Sequence, residues 1–194
     1  MLTRLYLVGI AYIGLAALAI GRARPGIEPV EPHTATPLTP EAGVSARSWF
    51  VSIKPFCNSV EVETALRQSR PPAGGFDGPG YEAACLALAG RVEQARGVIG
   101  GLATDQQWRA AGIVFEVAHP VADAGDDKSA GPIMAMVVDF WPNHYMALYH
   151  AGASEFALGD KARARDHLEA FLRNYSAEDG WRSSAKRILG ELSR

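Results

Sequence analysis

Cysteine is scarce in this sequence, net charge is nearly absent, and the period-two alternation of a half-buried strand is missing. Only two cysteines occur among 194 residues, which excludes a disulfide-dense scaffold and a four-cysteine zinc module. A formal charge of -2 and a pI near 6.2 leave no general basic surface, so no nucleic-acid partner is expected. The chain also lacks a CxxCH haem-attachment site, an HExxH metal motif and a lysine-terminated phosphate loop, and neither cofactor nor metal is expected. No Ser-His-acid set or paired-carboxylate site stands out, and the expected function is non-catalytic. With 48% hydrophobic residues the chain is too apolar to be wholly disordered. Its 20.7 kDa suffices for one compact domain plus an appendage.

What is present is unevenly spread. Leu5 to Gly21 carries no charged side chain and is bracketed by Arg4, Arg22 and Arg24. With the residues ahead of it, the run has the roughly 20 residues needed to cross a bilayer core as a helix, so residues 1–24 are expected to form a single N-terminal transmembrane anchor. Gly14, Ala17 and Gly21 fall at helical spacing and give one face of small residues, a candidate surface for packing against another transmembrane helix. Ala17-Leu18-Ala19 also has the small-x-small form of a signal-peptidase site, and a cleaved leader is the alternative. The arginine distribution does not favour an N-inside anchor. The order of short leader, apolar run, spacer and folded domain points instead to a single-pass protein of the cytoplasmic membrane with its domain on the periplasmic side. Residues 25–46 hold Pro25, Pro29, Pro32, Pro37 and Pro40 and few large apolar side chains, which predicts an extended, polyproline-like arm. His33 within it reads as a solvated side chain.

Residues 47–194 read as an all-α domain. Helices are predicted over 58–68, 81–89, 93–100, 105–118, 133–140, 144–158, 161–175 and 177–192, with Asn58, Thr104 and Ser176 opening three of them as caps. Gly74, Gly75, Gly78 and Gly80 after Pro71-Pro72 read as one long turn. The stretch HPVADAGDDKSAGP, His119 to Pro132, reads as an irregular insertion. Internal comparison of the stretches 87–102 and 157–172 places Gly90 on Gly159, Ala95 on Ala164, Ile99 on Leu168 and Leu102 on Phe171. The constant offset of 69 is about two periods of a 34-residue repeat.

Residues 145–176, YMALYHAGASEFALGDKARARDHLEAFLRNYS, resemble a tetratricopeptide repeat. The first helix offers Leu148, Ala151, Gly152 and Phe156, the turn is Gly159-Asp160, and the second helix offers Ala164, Leu168 and Phe171. Ser176 stands where that family usually ends with proline, and Phe156 sits one residue from the usual aromatic position. The resemblance implies antiparallel helix pairs stacked as a short solenoid over roughly residues 76–192. It also implies a terminal capping helix with Trp181, Ala185, Ile188 and Leu189 inward, and a role in binding other proteins.

The remaining polar groups point to structure rather than chemistry. His144, His150 and His167 lack the i, i+4 spacing of a helical metal pair and are expected to make surface or interhelical hydrogen bonds. Asp123, Asp126 and Asp127 lack the alternating ligands of a calcium loop. Cys57 and Cys85 are a candidate disulfide if the domain is exported. Their unequal offsets from the glycine-rich turn would place them at different heights on two antiparallel helices, so the pairing stays open. Residues 161–194 carry more basic than acidic side chains while 103–142 are acidic, which suggests oriented docking, with Arg163 and Arg165 as its natural test. Taken together, these features predict a membrane-anchored interaction module, an accessory subunit or assembly factor of an integral membrane complex of respiratory or photosynthetic kind. Its partners are then other protein subunits and, through the N-terminal helix, the lipid bilayer. A secreted periplasmic factor in envelope assembly is the alternative.

Overall fold

The computed structural model describes residues 43–194, which lie within one compact unit. The candidate membrane span, its small-residue face at Gly14, Ala17 and Gly21, and nearly all of the proline arm lie outside the described residues. Among the described residues no helix is long and apolar enough to cross a membrane.

The described residues are all-α. In chain order the helices are α1 (Ala46–Ile53), α2 (Val62–Gln68), α3 (Asp77–Leu88), α4 (Val92–Gly100), α5 (Thr104–Asp123), α6 (Asp127–Phe140), α7 (Tyr145–Leu158), α8 (Lys161–Asn174) and α9 (Gly180–Leu192). A 3-10 turn, Lys54–Phe56, follows α1. Carboxylates start three helices: Asp126, Asp160 and Asp179 accept from the backbone N–H of Ser129, Arg163 and Arg182 and satisfy first-turn donors that would otherwise be orphaned.

Several predicted starts move for local reasons. Asn58 does accept from the N–H of Val60 and Glu61, but it closes a turn, and α2 begins only at Val62. Ser176 gives way to Asp179, whose side chain takes both the Trp181 and Arg182 N–H groups. Thr104 is the first helical residue of α5, behind an Ala103 with no side-chain acceptor. Gly74 and Gly75 make the turn in the left-handed region, whereas Gly78 and Gly80 belong to α3. Gly80 is there for contact: a Cβ on it would lie 2.8 Å from Ile113 Cδ1. Helix α1 is absent from the sequence expectation because its eight residues are too few for a clear period, yet Trp49, Phe50 and Ile53 on one face are buried.

Three helix pairs, α3–α4, α5–α6 and α7–α8, repeat one pattern. The turn inside each pair is a left-handed glycine, at Gly90 (φ 76°), Gly125 (φ 79°) and Gly159 (φ 89°), where any side chain would be strained. These glycines are 35 and 34 residues apart. Five residues after each come Ala95, Ala130 and Ala164, and nine after each come Ile99, Met134 and Leu168, all with 0% exposure. Seven residues before each lies a small buried residue: Ala83, Ala118 and Gly152. Small residues at both positions let the paired helices approach closely, as at Gly152, where a Cβ would sit 2.7 Å from Leu168 Cγ. Between α7 and α8 the contacts run in opposite directions, Tyr149 on Phe171, Gly152 against Leu168 and Glu155 with Arg163, so this pair is antiparallel.

The stretch from His119 to Pro132 is therefore not an insertion. It is the end of α5, the turn at Gly125 and the start of α6. Pro120 and Pro132 both lie inside helices, where each removes one backbone hydrogen bond. Burial of Ala118, Ala122, Ile133 and Met134 around them holds the helical course.

Cys57 and Cys85 form a disulfide with their Cα atoms 4.8 Å apart. The expected mismatch in height does not arise, because Cys57 is not on α2. It follows the 3-10 turn after α1, and α1 packs on α3, with Phe50 stacked on Tyr81 at 5.1 Å. The buried side chains form two clusters, one running from α1 to α6 and onto α7, the other spanning α7, α8 and α9. Helix α7 contributes to both.

Candidate functional site

Helices α5 and α7 are the first members of successive pairs, and three ligand-type side chains meet between them. His119 and Asp123, four residues apart, share one face of α5, and His150 projects from α7. His119 Nε2 lies 3.1 Å from His150 Nε2, while Asp123 Oδ1 lies 3.4 Å from the first and 3.5 Å from the second. His150 is 5% exposed, His119 is half-buried, and Asp123 opens to solvent. The rings are held by aromatic neighbours: His119 stacks on Phe115 at 4.6 Å, and His150 meets Tyr149 and Trp181 edge-on at 5.4 and 5.6 Å. Burial, reinforced by His119 and opposed by Asp123 and Asp127, brings the pKa of His150 down to about 4. At neutral pH its imidazole is therefore uncharged.

The other residues singled out in the sequence go elsewhere. His144 opens α7, its Nδ1 accepting from the Ala147 N–H at 3.2 Å, and burial holds its pKa below the ordinary value. His167 Nδ1 contacts Glu155 Oε2 at 2.7 Å, and Arg163 reaches the other oxygen at 2.9 Å, so this buried carboxylate has two partners. Asp126 caps α6, and Asp127 accepts from the Ser154 hydroxyl at 2.9 Å. Of the three histidines grouped by sequence only His150 enters the cluster. Its partners come from the stretch read as an insertion, where the i, i+4 spacing of His119 and Asp123 was the available signal.

A second feature lies in the part of the domain nearest in sequence to the proline arm. A cleft of about 580 Å³ opens between α1, the 3-10 turn and α2, with Ile53, Phe56, Val60 and Ala65 on its apolar side and Glu61, Thr64 and Gln68 among its polar groups. Phe56 is 44% exposed and Val60 85%. Large apolar side chains grouped this way on a surface mark a contact region more often than scattered ones do. The basic residues of α8 and α9 are mostly engaged within the chain. Arg163 pairs with Glu155, Arg173 with Glu169, Arg182 with Glu178 and Arg187 with Glu191, and Arg165 donates to the Leu192 carbonyl. Charge reversal at Arg163 or Arg165 therefore perturbs internal contacts and is a poor probe of docking.

Compared with known protein families, curated proteins and solved structures, the chain has no significant match.

Proposed function

We propose that the chain is a non-catalytic, membrane-anchored protein–protein interaction module built from tetratricopeptide-like helix pairs, serving as an accessory subunit or assembly factor of an integral membrane complex. The observation that carries this reading is the exposed apolar cleft around Phe56 and Val60. Two further features support it. The 34- to 35-residue recurrence of turn glycines and small buried residues has the period of the tetratricopeptide resemblance. The Cys57–Cys85 disulfide suits an oxidising compartment, in keeping with a domain on the periplasmic side. An anchor that confines the domain to the membrane plane raises its effective concentration beside a membrane partner, so the cleft need not bind tightly on its own.

The test is a double substitution, Phe56→Asp with Val60→Asp, in the full chain extracted from membranes in mild detergent. The expected outcome is loss of the co-purifying membrane subunit, with membrane retention and melting temperature unchanged. Undiminished association would remove the cleft from the account. The disulfide suits the secreted alternative equally, and sequencing the mature N terminus separates the two.

A further inference from the structure

The contacts among His119, Asp123 and His150 are poorly explained as hydrogen bonds. Their nearest ligand atoms form a triangle with edges of 3.1, 3.4 and 3.5 Å. One proton serves one edge of such a triangle, and the two edges to the carboxylate are long for hydrogen bonds. A tetrahedral zinc ion with bonds of about 2.0–2.1 Å holds its ligand atoms about 3.3–3.4 Å apart. An ion placed just off this triangle reaches all three atoms at ordinary bond lengths with little movement of the side chains. Two imidazoles and one carboxylate suit zinc, whereas calcium and magnesium require more oxygen ligands. The half-exposed side at Asp123 leaves the fourth position to water. Asp127, held by Ser154 one helical turn along α7 from His150, adds a second negative charge nearby.

We propose that His119, Asp123 and His150 bind one zinc ion that clips α5 to α7. Since α7 contributes to both core clusters, the clip ties the α1–α6 part of the domain to the α7–α9 part. This goes beyond the interaction role and stands on different residues from the apolar cleft.

The untagged full chain in detergent, stripped with a chelator and dialysed, is titrated with Co(II) as a coloured substitute and then with Zn(II). The expected result is saturation at one equivalent with the visible absorption of four-coordinate cobalt, bleaching by zinc, and a rise in melting temperature on zinc addition, since the ion binds the folded state. His119→Ala and Asp123→Asn, at sites that are not fully buried, each weaken binding about tenfold or more, because losing a ligand costs at least as much as losing its outer support. His167→Ala, which touches only the Glu155 pair, leaves binding unchanged. The metal-free melting temperature of each variant reports whether it has folded. Absence of saturable binding, or equal affinity in folded His119→Ala and Asp123→Asn, overturns the site.

Discussion

Burial holds the imidazole of His144 below its ordinary pKa, and the same nitrogen caps α7. Protonation removes the lone pair that accepts the Ala147 N–H, so the folded state binds this proton less readily than the unfolded chain does. The sign follows from linkage. The cap contributes fully above about pH 6.5, and its contribution is lost as the pH falls through the depressed folded value. In metal-free protein the urea midpoint should therefore drop on acidification from neutral pH, the cap accounting for about 1 kcal/mol. His144→Asn keeps an acceptor without a titrating group and should make the pH profile shallower; an unchanged profile would mean that the cap does not titrate. At this scale the sequence reveals only part of the picture. The three histidines grouped by proximity along the chain have three different jobs, because side-chain meetings between helices depend on which faces oppose. The His119–Asp123 spacing was visible, but Pro120 between them reads as a loop and hides it.

Helix packing turns on whether a glycine faces a neighbour. A Cβ at Gly152 would lie 2.7 Å from Leu168 Cγ and 3.2 Å from the Ala164 carbonyl oxygen, so Gly152→Ala should overpack the α7–α8 crossing and destabilise by about 1–3 kcal/mol. Gly97, in the interior of α4, has nothing within 4 Å of that position, and Gly97→Ala should stabilise by about 0.5–1 kcal/mol through helix propensity. Opposite signs in chemical denaturation are the expected result; equal signs would contradict the packing described for Gly152. The disulfide fastens the segment after α1 to α3 across 28 residues of chain, and loop-closure entropy gives it about 3–4 kcal/mol. Reduction should lower the melting temperature correspondingly, and a melting curve indifferent to reductant would show that the bridge contributes nothing. Most helices were legible in the sequence from apolar period and turn glycines. α1 was not, being too short to show a period; α2 starts later than predicted because Asn58 closes a turn ahead of it, and α9 because Asp179, not Ser176, faces the open N–H groups.

Across the whole molecule, the recurrence at Gly90, Gly125 and Gly159 organises the domain into three similar pairs closed by α9. The outer two pairs were legible because their glycine, alanine and aliphatic positions align at one offset. Both helices of the middle pair were predicted, over 105–118 and 133–140, but their junction read as an irregular insertion because of two prolines that a helix normally excludes, held here in helices beside the buried Ala118, Ala130 and Met134. The all-α architecture follows from the pattern of the chain. The partner proposed for it does not, since an exposed apolar cleft could accept many apolar surfaces. The most direct measurement is mild-detergent extraction of the untagged full chain from native membranes, followed by size-exclusion chromatography and identification of everything that co-migrates. An interaction module of this kind should elute with one integral membrane complex at a constant ratio, and Phe56→Asp with Val60→Asp should release it. Elution of the unsubstituted chain as a free monomer, under conditions that keep membrane complexes intact, would contradict the account.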